Sequence, residues 1–157
     1  KFMLNGAPTF GTYDGANVEI VAESGEENNF IFGLRVEDIE KLRDTYNPRA
    51  YYEANPDIKR VLEALIDGTL SSTNRESFRD IYEALLNGKN WERPDQYYVL
   101  ADFKAFKDMQ EKVFECYQNP LKWAKMSLMN IANSGVFSSD RTIMQYASEI
   151  WGINPIN

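Results

Sequence analysis

The sequence has 157 residues, of which 43% are hydrophobic and 26% charged, with a formal net charge of -7. These are the proportions of a globular domain that buries a core, and the acidic surplus excludes a surface for nucleic-acid backbones and a polybasic membrane patch. With no histidine and one cysteine, Cys116, the chain can build no Ser-His-Asp or Cys-His engine, no His-ligated or Cys-rich metal site and no internal disulfide.

Cys116 sits in the helix-like stretch Lys112–Tyr117 and reads as a packed thiol of a reducing cytoplasm. No apolar run approaches the ~18 residues of a membrane span. No signal peptide is visible, although a truncated start would have lost one.

In chain order, Pro8 to Tyr13 reads as a short strand bounded by Gly6 and Gly15, and Ala16 to Ala22 as a helix entered through the Asp14-Gly15 turn. Residues 24–29 read as a polar loop, and Phe30-Ile31-Phe32 as a buried strand closed by Gly33. This order suits the late part of an α/β sheet domain. From residue 34 the pattern is helical: Val36 to Asp44, then a helix capped by Asn55 with Pro56 at its first position. Ile58, Val61, Leu62, Leu65 and Ile66 give that helix its apolar face, and Gly68 ends it. Phe78, Ile81, Tyr82, Leu85 and Leu86 repeat the spacing, with Asn74 as the expected cap and Gly88 as the stop.

Tyr97 to Leu100 reads as a brief extended segment, after which Asp102 is expected to cap a helix burying Phe103, Phe106, Val113, Phe114 and Tyr117. Asn119-Pro120 opens the next helix, with Leu121, Ala124, Leu128 and Ile131 expected inward. The last helix follows Ser139-Asp140, with Ser138, Ser139 and Asp140 expected to cap it, and places Ile143, Tyr146, Ala147, Ile150 and Trp151 on one face. The aromatic stripes read as core rather than as a cofactor box, and Asp140-Arg141 as an ion pair of little energetic weight. No repeat or low-complexity linker divides the chain. Residues 1–157 therefore read as one partial domain, with short strands and a helix over 1–33 and a helical tail over 34–157.

Lys1 stands directly before an apolar stretch, Phe2-Met3-Leu4, and the boundary looks like a cut through a larger protein. A lysine amine can condense with an aldehyde to an imine, the way proteins tether pyridoxal phosphate, although most lysines are solvated surface charges. What singles out Lys1 is its context. The run from Lys1 to Ile20 closely resembles the segment around the pyridoxal-phosphate lysine of the α-glucan phosphorylases. Asn5-Gly6-Ala7, Gly11-Thr12 and Asp14-Gly15-Ala16-Asn17-Val18-Glu19 stand where that pattern has them. Pro8, Phe10 and Tyr13 depart from it as hydrophobic exchanges in a strand, and Pro8 and Tyr13 lean towards a bacterial maltodextrin-type enzyme. Gly25–Asn28, Phe30–Gly33 and the block Asn130–Trp151 continue the match in order, so the end near Asn157 looks close to a natural C-terminus.

The resemblance implies the C-terminal part of the second Rossmann-like domain of a two-domain GT-B glycosyltransferase fold. It implies a cytoplasmic, homodimeric glycogen or maltodextrin phosphorylase. In such an enzyme inorganic phosphate cleaves the terminal α-1,4 bond of a glucan and releases glucose 1-phosphate. Pyridoxal phosphate would act through its phosphate, relaying a proton, with Lys1 as its anchor. Asn5, Asp14 and Asn17 are possible supporting residues. Asp14 reads first as a cap of the helix from Ala16. Glu19, Glu23, Glu26 and Glu27 read as a solvated acidic loop rather than a glycosidic carboxylate pair. The remaining cofactor contacts and the phosphate-binding loops would lie upstream, in the rest of the same enzyme, so the isolated chain is expected to be inactive. Two rivals stand beside this reading: a non-catalytic helical interaction module, and a nucleotide-sugar glycosyltransferase of the same general fold. The first leaves the dense turn pattern of Asn5 to Glu19 unexplained.

Overall fold

A computed structural model describes residues 1–71 and 73–153; the expected C-terminus near Asn157 lies outside the described residues. The chain divides into two compact units, Lys1–Ile31 with Glu111–Asn157, and Phe32–Gln110.

The first unit opens with β1 (Phe10–Thr12), α1 (Ala16–Ser24) and β2 (Phe30–Phe32). The strands pair in a small parallel sheet, and α1 is the crossover that a parallel pair requires. Both strands and the helix between them fall where the sequence pattern puts them. The expected polar loop is instead a short 3-10 turn, Glu26–Asn28, in which Asn28 and Asn29 are buried.

The other half of this unit is α7 (Pro120–Ala132), preceded by the end of α6 (Val99–Tyr117). Asn119 caps α7 through the Lys122 amide, with Pro120 in the first position as expected. Phe30 stacks on Trp123 with ring centroids 5.9 Å apart, and Trp123 meets the edge of Tyr117 at 5.0 Å. Cys116 is buried, its Sγ 3.4 Å from Met126 Sδ, the packed thiol expected from its surroundings.

The inward face of α7 is not the one the apolar count selects. Met126 and Asn130 are buried and Trp123 half-buried, whereas Leu121 is 82% and Leu128 63% exposed and Ala124 is exposed; Ile131 is partly exposed and packs against Gly6. Phe30 of β2 covers Trp123, Cys116 meets Met126, and the turn at Asn28 holds Asn130. Because the Trp123–Met126–Asn130 stripe contains an asparagine, apolar residues alone point to the wrong side.

The same correction applies to Phe114 and Tyr117 on α6, and to Ile143, Tyr146, Ile150 and Trp151 on α8 (Ser139–Gln145) and the π-helical turn that follows it, all of which are exposed. Ser138 caps α8 through the Arg141 amide, as expected. The Arg141 guanidinium turns to the Val136 carbonyl and the Gln145 amide oxygen rather than to Asp140.

The second unit holds α2 (Val36–Leu42), α3 (Pro48–Ala54), α4 (Pro56–Ala64), α5 (Arg79–Leu86) and the first part of α6. Its core is Ile58, Leu62, Leu86 and Leu100, with Tyr51, Leu65, Tyr82 and Phe103 packed around it. Asn55 accepts from the Asp57 and Ile58 amides, as predicted for the start of α4. The identical signal, Asn47-Pro48, starts α3, a helix that the sequence reading passes over.

Three expectations about where elements start fail here, and Val61 and Ile81, expected on apolar faces, are exposed. Asn74 closes a turn on the Glu76 amide, and α5 begins only at Arg79. Tyr97–Leu100 is not extended, because Tyr98 has φ 58° and α6 starts at Val99. The cap of α6 is Asp95, which accepts from the Val99 and Leu100 amides at 2.9 and 2.8 Å. Asp102 lies inside the helix and accepts from the Leu34 amide at 2.7 Å. Phe106 of α6 meets Phe32 edge-on at 5.5 Å but is partly exposed.

Among the described residues no helix is long and apolar enough to cross a membrane. Nor does any group of His, Cys, Asp and Glu among them form a metal cage.

Candidate functional site

Lys1 leads into a single 3-10 turn, Met3–Asn5. The turn is closed by the Asn5 and Ala7 amides on the Phe2 carbonyl and by the Gly6 amide on Met3. The Asn5 side-chain amide donates to the Lys1 carbonyl at 2.7 Å and pins the residue from its backbone side. Met3 is buried, and Gly6, at φ 74°, lies against α7. A Cβ on Gly6 would sit 3.1 Å from Ile131 Cδ1 and 3.3 Å from Ser127 Cβ, so the turn bearing Lys1 is docked backbone-first on α7.

The Lys1 side chain is exposed at the edge of a cavity of about 470 Å³. Phe2, Met3, Phe10, Ile20 and Phe137 give it largely apolar walls, and Asn17 stands among them. The Asn17 amide donates to the Thr12 carbonyl at 2.8 Å, which ties the first turn of α1 to β1. Gly11 is the neighbour that allows this: a Cβ there would lie 2.8 Å from Asn17 Nδ2.

Asp14 accepts from the Thr12 hydroxyl at 3.2 Å, and its backbone carbonyl takes the Asn17 amide. Its carboxylate does not cap α1, whose N-cap is Gly15 with no side-chain bond. The structure therefore brings Lys1 and Asn17 to one cavity and leaves Asn5 and Asp14 as residues that hold the backbone beside it. Glu19, Glu23, Glu26 and Glu27 are exposed, and none of them lines this cavity. The arrangement sets an accessible primary amine beside largely apolar walls, and such an amine can condense with a carbonyl compound to an imine.

The sequence reading missed a buried polar network that sets this geometry. Asn29 accepts from the Thr9 amide at 3.0 Å and donates to Ser24 Oγ and the Gly25 carbonyl. Asn28 donates to the Ser24 carbonyl at 2.7 Å, and Ser24 Oγ to Ile20. Asn130 is fully buried; its Nδ2 donates to the Asn28 carbonyl at 2.8 Å and to Met126 at 3.0 Å. The sequence carries no signal for it beyond the two asparagines immediately before an apolar strand; once buried, both must be hydrogen-bonded. The block at Gly25–Asn28 and the block starting at Asn130 are thus joined by a direct hydrogen bond.

The match to known proteins spans these blocks and the Lys1 run. The sequence model of the carbohydrate phosphorylases matches residues 1–153. The chain belongs to the carbohydrate phosphorylase family. It is 50% identical over 156 residues to the muscle form of glycogen phosphorylase from Homo sapiens and 49% identical to that from Mus musculus. It is also 49% identical to the brain form from Homo sapiens. Each alignment covers 99% of this chain but 18% of the relative, so the chain spans under a fifth of the length of these curated relatives.

Proposed function

We propose that this chain is part of an α-1,4-glucan phosphorylase in which Lys1 anchors pyridoxal phosphate. In this reading inorganic phosphate releases glucose 1-phosphate from the end of glycogen or maltodextrin. The observation that carries it is the family match running through Lys1, with the Lys1 amine standing at an apolar-walled cavity. Family membership favours this over a nucleotide-sugar transferase or a helical scaffold.

The residues present fit the cofactor by halves. Lys1 supplies the amine for its aldehyde, and Phe2, Phe10 and Ile20 supply wall for its ring. Among the described residues that line the cavity, Lys1 is the only cation. The cofactor's phosphate and the substrate phosphate are then held by polypeptide beyond this chain, and the 157-residue chain alone is inactive. When bound, the cofactor would supply a phosphate group able to exchange a proton. The role of this chain's residues is to fix its position: Lys1 by covalent attachment, Asn5 by holding the Lys1 backbone, and Asn17 and Asp14 by shaping the turn opposite. On this reading the chain is the C-terminal part of the second Rossmann-like domain of a GT-B enzyme that is cytoplasmic and dimeric.

The full-length protein tests it. Borohydride reduction followed by peptide mapping should place a pyridoxyl group on Lys1, and the reduced enzyme should keep much of its phosphorolytic activity. Lys1→Ala should lose the cofactor. A protein that carries no pyridoxal phosphate and yields no glucose 1-phosphate from glycogen and phosphate would refute the proposal.

A further inference from the structure

Asn-Gly occurs twice in the chain, at Asn5-Gly6 and at Asn87-Gly88. The dipeptide is chemically labile, because a glycine amide carries no side chain to keep its nitrogen away from the preceding asparagine Cγ. Attack of that nitrogen on Cγ expels the side-chain amide. The step requires an attacking nitrogen free of other bonds, a carbonyl oxygen able to carry negative charge, and a backbone loose enough to close the ring.

The two sites differ in these respects. Gly6 is buried against α7, and its amide donates to the Met3 carbonyl at 2.9 Å. The Asn5 side chain is held through its nitrogen, which donates to the Lys1 carbonyl. Asn87 instead is exposed and closes α5, with φ -119° and ψ -16°. The Gly88 amide lies past the helix end and has no hydrogen-bond partner among the described residues. A helix end is where the backbone opens most readily, so Asn87 can turn until the Gly88 nitrogen meets its Cγ. Its side chain is also flanked by charge. Asn87 Oδ1 accepts from the guanidinium of Arg49 at the start of α3, and Nδ2 donates to the Glu83 carboxylate. A cationic donor on the carbonyl oxygen stabilises the oxyanion that attack creates.

We propose that Asn87 is a self-modifying site, deamidated by its own backbone with Arg49 as the oxyanion donor. The Gly88 nitrogen bonds to Asn87 Cγ, and Arg49 holds the negative charge that develops on Oδ1. The Cγ–Nδ2 bond then breaks, and the nitrogen leaves as ammonia with the proton of the Gly88 amide. One water opens the resulting cyclic imide at either carbonyl, giving aspartate or isoaspartate. In the aspartate product the neutral contact with Arg49 becomes a charge-assisted bond, and the end of α5 gains a negative charge beside Glu83. Water is the only co-reactant, and the site is independent of the reaction proposed above.

The test is to hold the full-length protein for days in mildly acidic and in mildly alkaline buffer, digest it, and score the peptides for acid in place of amide at Asn87 and at Asn5. Asn87 should convert about tenfold faster or more, because a fraying helix end opens more often than a docked turn. It should convert faster in alkali, where the attacking amide loses its proton more readily. In protein unfolded by urea the two sites should convert at similar rates, which separates the effect of structure from that of sequence. Arg49 is exposed, so Arg49→Gln should fold, and it should slow Asn87 by about threefold or more while leaving Asn5 unchanged. No conversion at Asn87, conversion at Asn5 as fast in the folded protein, or an Arg49→Gln variant that converts as fast as its parent would overturn the inference. None of these readouts involves glucose 1-phosphate, so failure of the proposed reaction would leave this site standing.

Discussion

Replacing Asp95 removes the centre of the polar structure in the second unit. Its carboxylate is 3% exposed and accepts from the Tyr46 hydroxyl, the Val99 amide and the Leu100 amide. Asp95→Ala strands these donors unequally. Val99 is half-exposed, so water recovers its amide, whereas Leu100 is in the core and Tyr46 is half-buried. A buried donor left unmade costs about 1–3 kcal/mol, and two are stranded here, the Leu100 amide and the Tyr46 hydroxyl. Together these give roughly 3 kcal/mol for Asp95→Ala. Asp95→Asn, which keeps one acceptor oxygen and tolerates the residue's φ of 44°, should cost less than half of that. Tyr46→Phe should cost about 1 kcal/mol. In urea unfolding followed by far-UV circular dichroism, a slope of about 2 kcal/mol per molar makes the alanine variant unfold roughly 1.5 M earlier. The double variant Tyr46→Phe/Asp95→Ala should be no less stable than Asp95→Ala alone, because the phenol has already lost its acceptor. Strictly additive losses, or an alanine variant within about 0.5 kcal/mol of the parent, would refute this account.

Gly33→Ala should destabilise the chain by about 2 kcal/mol or more. Gly33 is at φ 82°, and an added Cβ would lie 2.7 Å from the Asp102 carboxylate that binds the next amide, Leu34. Wild-type-like thermal unfolding would count against that packing. Alkaline titration at 295 nm should show delayed tyrosines. Burial and the 3.1 Å hydrogen bond to Glu63 push the Tyr52 phenol up to about 12, and burial with Asp95 beside it raises Tyr46 further. The unfolded chain ionises near pH 10, so these two contribute stability that is complete below pH 10 and is lost as pH rises through about 12. If every tyrosine of the folded chain ionises together near pH 10, the environments are misassigned.

Local chemistry was legible wherever one residue type dictates one geometry. Asn55-Pro56 and Asn119-Pro120 mark helix starts because the asparagine oxygen caps and the proline lacks only an amide that is already unpaired. The β1–α1–β2 order followed from strands closed by glycine. What failed depends on partners distant in sequence. Helical period tells which residues share a face, not what covers it, and so Leu121, Leu128, Ile150 and Trp151 read as core and stand exposed. The Asp95 cap was hidden because the backbone bends through positive φ at Asp95 and Tyr98, where neither glycine nor asparagine announces it. At the candidate site Lys1 was visible only through resemblance. Nothing in its own spacing separates it from a surface lysine.

The position of Lys1 is a property of the far end of the chain. Its own turn contains one short 3-10 element, too little to fix a side chain by itself. Gly6 meets Ser127 and Ile131 of α7, Asn130 of the same helix holds the Asn28 carbonyl, and Asn29 holds the Thr9 amide at the entrance to β1. Helix α7 therefore grips both the turn that precedes the cavity and the polar network behind its strand. If Lys1 anchors a cofactor as proposed, its contribution is placement, and a misplacement of about 1 Å can cost on the order of a hundredfold in rate. Asn130 sits where such an error would begin: it is fully buried, its two donated bonds fix the amide orientation, and its Oδ1 has no partner among the described atoms. That orphaned acceptor carries a cost of its own, so a side chain chosen only for stability would be apolar. What Asn130 supplies on the buried stripe of α7 is the bond to Asn28, which holds the loop behind the strand in register with the helix that seats Lys1.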